Sequence, residues 1–147
     1  MQKKLEDLLM EFAKLDAQNR ICANNASSLV IVVDVAIECA ETTMFDLYAK
    51  SQEETARKVR SVLEKLKDAK KDAQNLVHST KISVISFEKL VNALIWSEAE
   101  LDDAEIERIK GLYKNSSELV KNTTDQIEGQ IKKTIDITMD LKFIAIF

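Results

Sequence analysis

Proline is absent from this chain, and its two glycines, Gly111 and Gly129, both lie in the last third. Chain reversals rely on those two residues more than on any others, because one presets φ and the other tolerates positive φ. A sheet protein of 147 residues needs many such reversals. With so few turn formers, helices become the economical way to satisfy the backbone hydrogen-bonding groups. Apolar residues make up 46% of the chain and charged residues 31%, a balance suited to amphipathic helices that bury a core.

Spacing of the apolar residues supports that class. Counting alternately three and four from Leu5 gives Leu8, Phe12, Leu15, Asn19, Cys22, Ala26, Leu29, Val33, Ala36, Ala40, Thr43 and Leu47. Only Asn19 and Thr43 are polar, and the phase does not slip, so a single helix over about 2–50 is expected. A rival reading breaks it at Asn24-Asn25-Ala26-Ser27-Ser28, which has the composition of a turn and N-cap.

Ser51-Gln52-Glu53-Glu54 has the pattern of a capping box, and a second helix is expected over about 52–96. Its inward series runs Val59, Val62, Leu66, Ala69, Ala73, Leu76, Thr80, Ser83, Phe87, Leu90, Leu94 and Ser97. Thr80 and Ser83 are weak core members, so a kink or short loop at His78–Lys81 is the alternative. Ser97-Glu98-Ala99-Glu100 and the acids Asp102 and Asp103 mark a third start, for a helix over about 101–143. There Ile106, Ile109, Tyr113, Ser116, Val120, Thr123 and Ile127 point inward, and the isoleucines after Gly129 suggest a shift to Ile131 and Ile135.

The expected architecture is all-α: an elongated antiparallel bundle of three long helices, with coiled-coil spacing, forming a single domain over 1–147. Each helix would be ~65–70 Å long, with Val33 near the level of Leu66 and Ile131. Four or five shorter helices in a compact bundle are the alternative.

Several chemistries have little to work with. His78 is the only histidine, and Asn75 stands where a Glu-x-x-His metal motif needs an acid. One histidine and two distant cysteines do not make a zinc site, so no metal or cofactor is expected. No glycine-rich phosphate loop and no nucleophile–histidine constellation can be assembled, and the chain reads as non-enzymatic. Cys22 and Cys39 are seventeen positions apart, beyond disulfide reach on one helix. Net charge is −4, and the basic run Arg57–Lys71 is interleaved with Glu64, Asp68 and Asp72 without stacking aromatics. That pattern fits a solvated helix face and makes a nucleic-acid partner unlikely on chemical grounds. Acidic residues dominate 25–54 and 82–105, and basic ones 55–81, which favours antiparallel neighbours.

Two apolar features exceed what a three-helix core needs. The window Leu29–Ile37 interrupts its apolar run only at Asp34, and the inward phase leaves Ile31 and Val35 facing out. The C-terminal residues Phe143, Ile144, Ile146 and Phe147 also require a cover. These six residues form the expected interaction surface, for a homo-oligomer or a helical protein partner. The same features suit two alternatives: a membrane-active protein that is pore-forming or lipid-binding, or a carrier of a small apolar ligand between the helices. The apolar window is shorter than the ~20 residues of a membrane span. The charged N-terminal stretch lacks a signal-peptide pattern, so a cytoplasmic location is expected, with secretion the alternative if a leader was removed. The sequons at Asn25, Asn115 and Asn122 are consistent with that alternative.

Overall fold

The computed structural model describes residues 2–95 and 102–146, with the side chains of 6–92, 94–95 and 102–144. Three helices account for nearly all of it: α1 (Gln2–Ala49), α2 (Glu53–Ile95) and α3 (Asp103–Ile146). Both interior breaks considered from the sequence are absent, since α1 runs through Asn24–Ser28 and α2 through His78–Lys81. Continuity costs little at these places. The polar residues at the first site are exposed on the helix, and the buried Thr80 hydroxyl donates back to the Val77 carbonyl at 2.9 Å.

The reversal between α1 and α2 does not use the expected capping box. Gln52 N–H donates to the Leu47 carbonyl at 2.9 Å and Ser51 N–H to the Tyr48 carbonyl at 3.1 Å. Together they form a Schellman C-cap, with Ser51 at the left-handed position, φ 60°. Gln52 then opens α2, its carbonyl accepting from Ala56 N–H at 3.0 Å. Ser51 thus closes the first helix instead of starting the second. At the start of α3, Asp102 is the N-cap: its Oδ1 accepts from Glu105 N–H at 2.8 Å. The expected capping box at Ser97–Glu100 lies outside the described residues.

Side-chain contacts fix the registers. Asn19 meets Ser83 and Asp34 meets Lys70, so α2 runs antiparallel to α1. Cys22 meets Thr124, and Tyr113 donates to Glu11, both pairs being 102 positions apart. The common offset sets α3 parallel to α1. Val33 lies with Leu29 and Ala73, about two turns along α2 from the Leu66 level expected for it.

A dense seam of Val33, Ala36, Ala40, Val59, Leu66, Ala69 and Ala73 joins α1 and α2, and the alanines let the two backbones approach closely. Towards the opposite end, Phe12 sits 5.4 Å from both Phe87 and Tyr113, one aromatic ring from each helix. Between these, the weak core members find one another: Asn19 Nδ2 donates to Ser83 Oγ at 3.1 Å.

One expectation about α3 is overturned. The inward face does not shift after Ile127 but continues through Gln130, Thr134, Ile137 and Leu141 to Ile144. Ile131 and Ile135 point outward, with 38% and 52% of their surface exposed. Gly129 lies within α3 and is exposed, and the helix runs through it without a break. A straight helix cannot change its buried face without bending, and here the phase set at both ends overrides the local hydrophobicity.

Candidate functional site

Exposed apolar side chains concentrate on the outer side of α1. Ile31 is 65% exposed and Val35 54%, and Val32 beside them is also open. The a/d spacing buries Leu29, Val33 and Ala36, which turns the intervening β-branched residues outward. Applying the α1–α3 offset places Ile131 level with Leu29 and Ile135 level with Val33. Five exposed β-branched side chains thus stand at one level of the bundle, Ile31, Val32 and Val35 on α1 with Ile131 and Ile135 on α3. Sequence reading found two of the three on α1, Ile31 and Val35, but not Val32. It missed the α3 half because those isoleucines were counted as core.

The C-terminal residues do not join this patch. Helix α3 extends to Ile146, past the expected end at 143. Ile144 packs on the bundle with the cluster around Ala40 and Leu141, while Phe143 is 60% exposed and borders a groove with Thr55 and Lys58 of α2. The tail therefore lies against α2 and not against the outer face of α1. The Ile146 side chain and all of Phe147 lie outside the described residues.

The electrostatic setting of the patch is plain. No charged residue occurs between Arg20 and Asp34, and both of those lean towards α2. Arg20 bonds Asp16 at 3.0 Å and approaches Glu88 at 3.7 Å; Asp34 bonds Lys70 at 2.7 Å. The bond and charge of Asp16 hold the guanidinium protonated even above its ordinary range. These ion pairs zip the α1–α2 side and leave the outer face of α1 without charge between Lys14 and Glu38.

Groups that carry chemistry are dispersed. His78 is exposed on α2. Cys22 is buried with its Sγ 2.9 Å from Thr124 Oγ1, and Cys39 is exposed. Their separation along α1 is ~25 Å, beyond disulfide reach. Among the described residues, no three His, Cys, Asp or Glu side chains converge to hold a metal ion. An open groove of about 450 Å³ between α2 and α3 is lined by Ile82, Phe87, Leu90, Leu119 and Val120 with four serines. No helix among the described residues is long and apolar enough to cross a membrane. No protein-family model, no curated protein and no solved structure matches this chain.

Proposed function

We propose that this chain is a non-enzymatic assembly module, a three-helix rod that works by covering the outer face of α1 with another apolar surface. The observation that carries the reading is the patch of Ile31, Val32, Val35, Ile131 and Ile135, five β-branched side chains at one height of the rod. Each is held on a rigid helix, so no rearrangement hides it from water. Burying a fully exposed β-branched side chain of this size is worth roughly 1.5–3 kcal/mol; these five start about half exposed, so each gives roughly half of that, and several together supply the centre of an interface. The outward position of Ile131 and Ile135 adds to this reading, because the helix presents them while burying Gln130 and Thr134.

The test is solution mass by light scattering with in-line chromatography over the micromolar range. The unaltered chain is expected to associate, and I31K with V35K to return it to a monomer of unchanged helicity. A monomer at every concentration, combined with no effect of the two lysines, removes the proposal. Release of dye from vesicles by the unaltered chain, lost in the same variant, would transfer the surface to a lipid partner.

A further inference from the structure

The outer face of α1 has a pattern of its own. Met10, Lys14, Ala17, Ile21, Asn24, Ser28, Ile31, Val35, Glu38, Thr42 and Phe45 recur at alternate spacings of four and three, and all of them are exposed. This is the same repeat that builds the inner face of α1, displaced to its opposite side. A helix with two such stripes has a second seam available to another helix.

The stripe is complementary to itself when reversed. Turned about a point near Ala26, it sets Ala17 opposite Val35, Ile21 opposite Ile31, Asn24 opposite Ser28, and Lys14 opposite Glu38. Small meets large, apolar meets apolar, an amide meets a hydroxyl, and a base meets an acid. By two-fold symmetry each match occurs twice. Glu38 makes no ion pair among the described residues, and Lys14 reaches only its neighbour Glu11, at 3.8 Å. The parallel alternative would place Lys14 on Lys14 and Glu38 on Glu38, opposing like charges.

We propose that the occupant of this face is a second copy of the chain, docked antiparallel through α1, with the Lys14–Glu38 pairs at both ends of the seam and Asn24–Ser28 at its centre. This rests on the assembly reading above and specifies its partner and register. From Met10 to Phe45 the stripe is ~50 Å long and about one helix wide, on the order of 500 Å² per copy. The two copies together then reach the ~1,000 Å² that a specific interface requires, before Ile131 and Ile135 widen it. A polar pair at the centre of an apolar seam fixes register and orientation, as buried asparagines do between paired helices.

Charge reversal tests the register with the full chain and leaves the apolar patch intact. Sedimentation equilibrium is expected to show dimer association weakened roughly tenfold in K14E and in E38K, with recovery in the double variant K14E/E38K. Cysteine pairing in a C39A background tests the direction. N24C and S28C, which face each other at the centre of the seam, are expected to link to each other when mixed under mild oxidation. A17C and V35C are expected to link to each other when mixed but not to themselves, their own copies being ~27 Å apart along the axis. Self-linking of A17C would show a parallel pair and overturn the proposal. Association that I31K with V35K abolishes, but that the charge reversals leave unchanged, would also overturn it while leaving the assembly reading intact. A monomer throughout sinks both.

Discussion

The α1–α2 seam and the inward face of α3 lie in the same bundle but are made of different side chains. Towards the reversal at Ser51, the buried positions between α1 and α2 include Val33, Ala36, Ala40, Val59, Leu66, Ala69 and Ala73. On α3 the corresponding stripe includes Ser116, Thr123, Gln130 and Thr134, alternating with Val120, Ile127, Ile137 and Leu141. Threonines on α3 keep their hydroxyls satisfied by donating to carbonyls one turn back, as Thr134 does to Gln130 at 2.8 Å. Gln130 fares worse: its Nε2 donates to Asp72 at 3.3 Å, while its Oε1 is buried without a partner. The hairpin of α1 and α2 thus supplies the tight, apolar contact, and α3 is a third helix laid on it with a partly polar underside.

The largest effect should come from the dry seam. Leu66 is fully buried, and Leu66→Ala is expected to cost about 3 kcal/mol in urea unfolding, from lost burial plus the cavity left behind. A cost below that of an equivalent truncation at Ile127 on α3 would break the contrast. The second change should have the opposite sign. Gln130→Leu removes an unsatisfied buried oxygen and adds apolar contact, and it should raise stability by about 1 kcal/mol despite losing the bond to Asp72. A loss of stability would show instead that the Gln130–Asp72–Lys133 contacts hold α3 in place.

The architecture was legible in the sequence because α1 and α2 keep one phase over dozens of residues, and because turn formers are nearly absent. The face of α3 beyond Ile127 was misread for a physical reason. Locally, Ile131 and Ile135 outweigh Gln130 and Thr134 in hydrophobicity, yet burial is decided by helix continuity, which couples these positions to Ile109 and Leu141 far away. Ile31 and Val35 were legible as outward residues because they follow from the α1 phase alone. Their α3 neighbours were not, since that requires the offset between two helices. Ser51 was misassigned for a similar reason: its four-residue motif suits either a helix start or a helix end, and only the backbone bonds distinguish them.

The smallest effect concerns the aromatic layer, where α3 does meet the hairpin through apolar contact. Partial burial, and then the hydrogen bond to Glu11, raise the Tyr113 hydroxyl above its ordinary value of about 10. The folded state therefore favours the protonated ring. Its contribution is complete below pH ~10 and is lost as pH rises through the higher folded value. In a Y48F background, phenolate absorbance should report Tyr113 ionising later in the folded chain than in urea. Ionisation at the same pH in both would show that α3 is not seated against Phe12.

The turn at Ser51 limits how such a chain can change in length. Helices α1 and α2 are joined by the shortest of connections, and their caps share neighbouring residues. One residue inserted within α1 turns everything beyond it by about 100°, moving the inner seam sideways and the outer stripe with it. No slack in the connection can absorb that rotation. Insertions and deletions are thus filtered by arithmetic: those of seven residues, matched in the facing helix, restore both faces at once, and most others spoil both. Lineages of this protein should differ in length by steps.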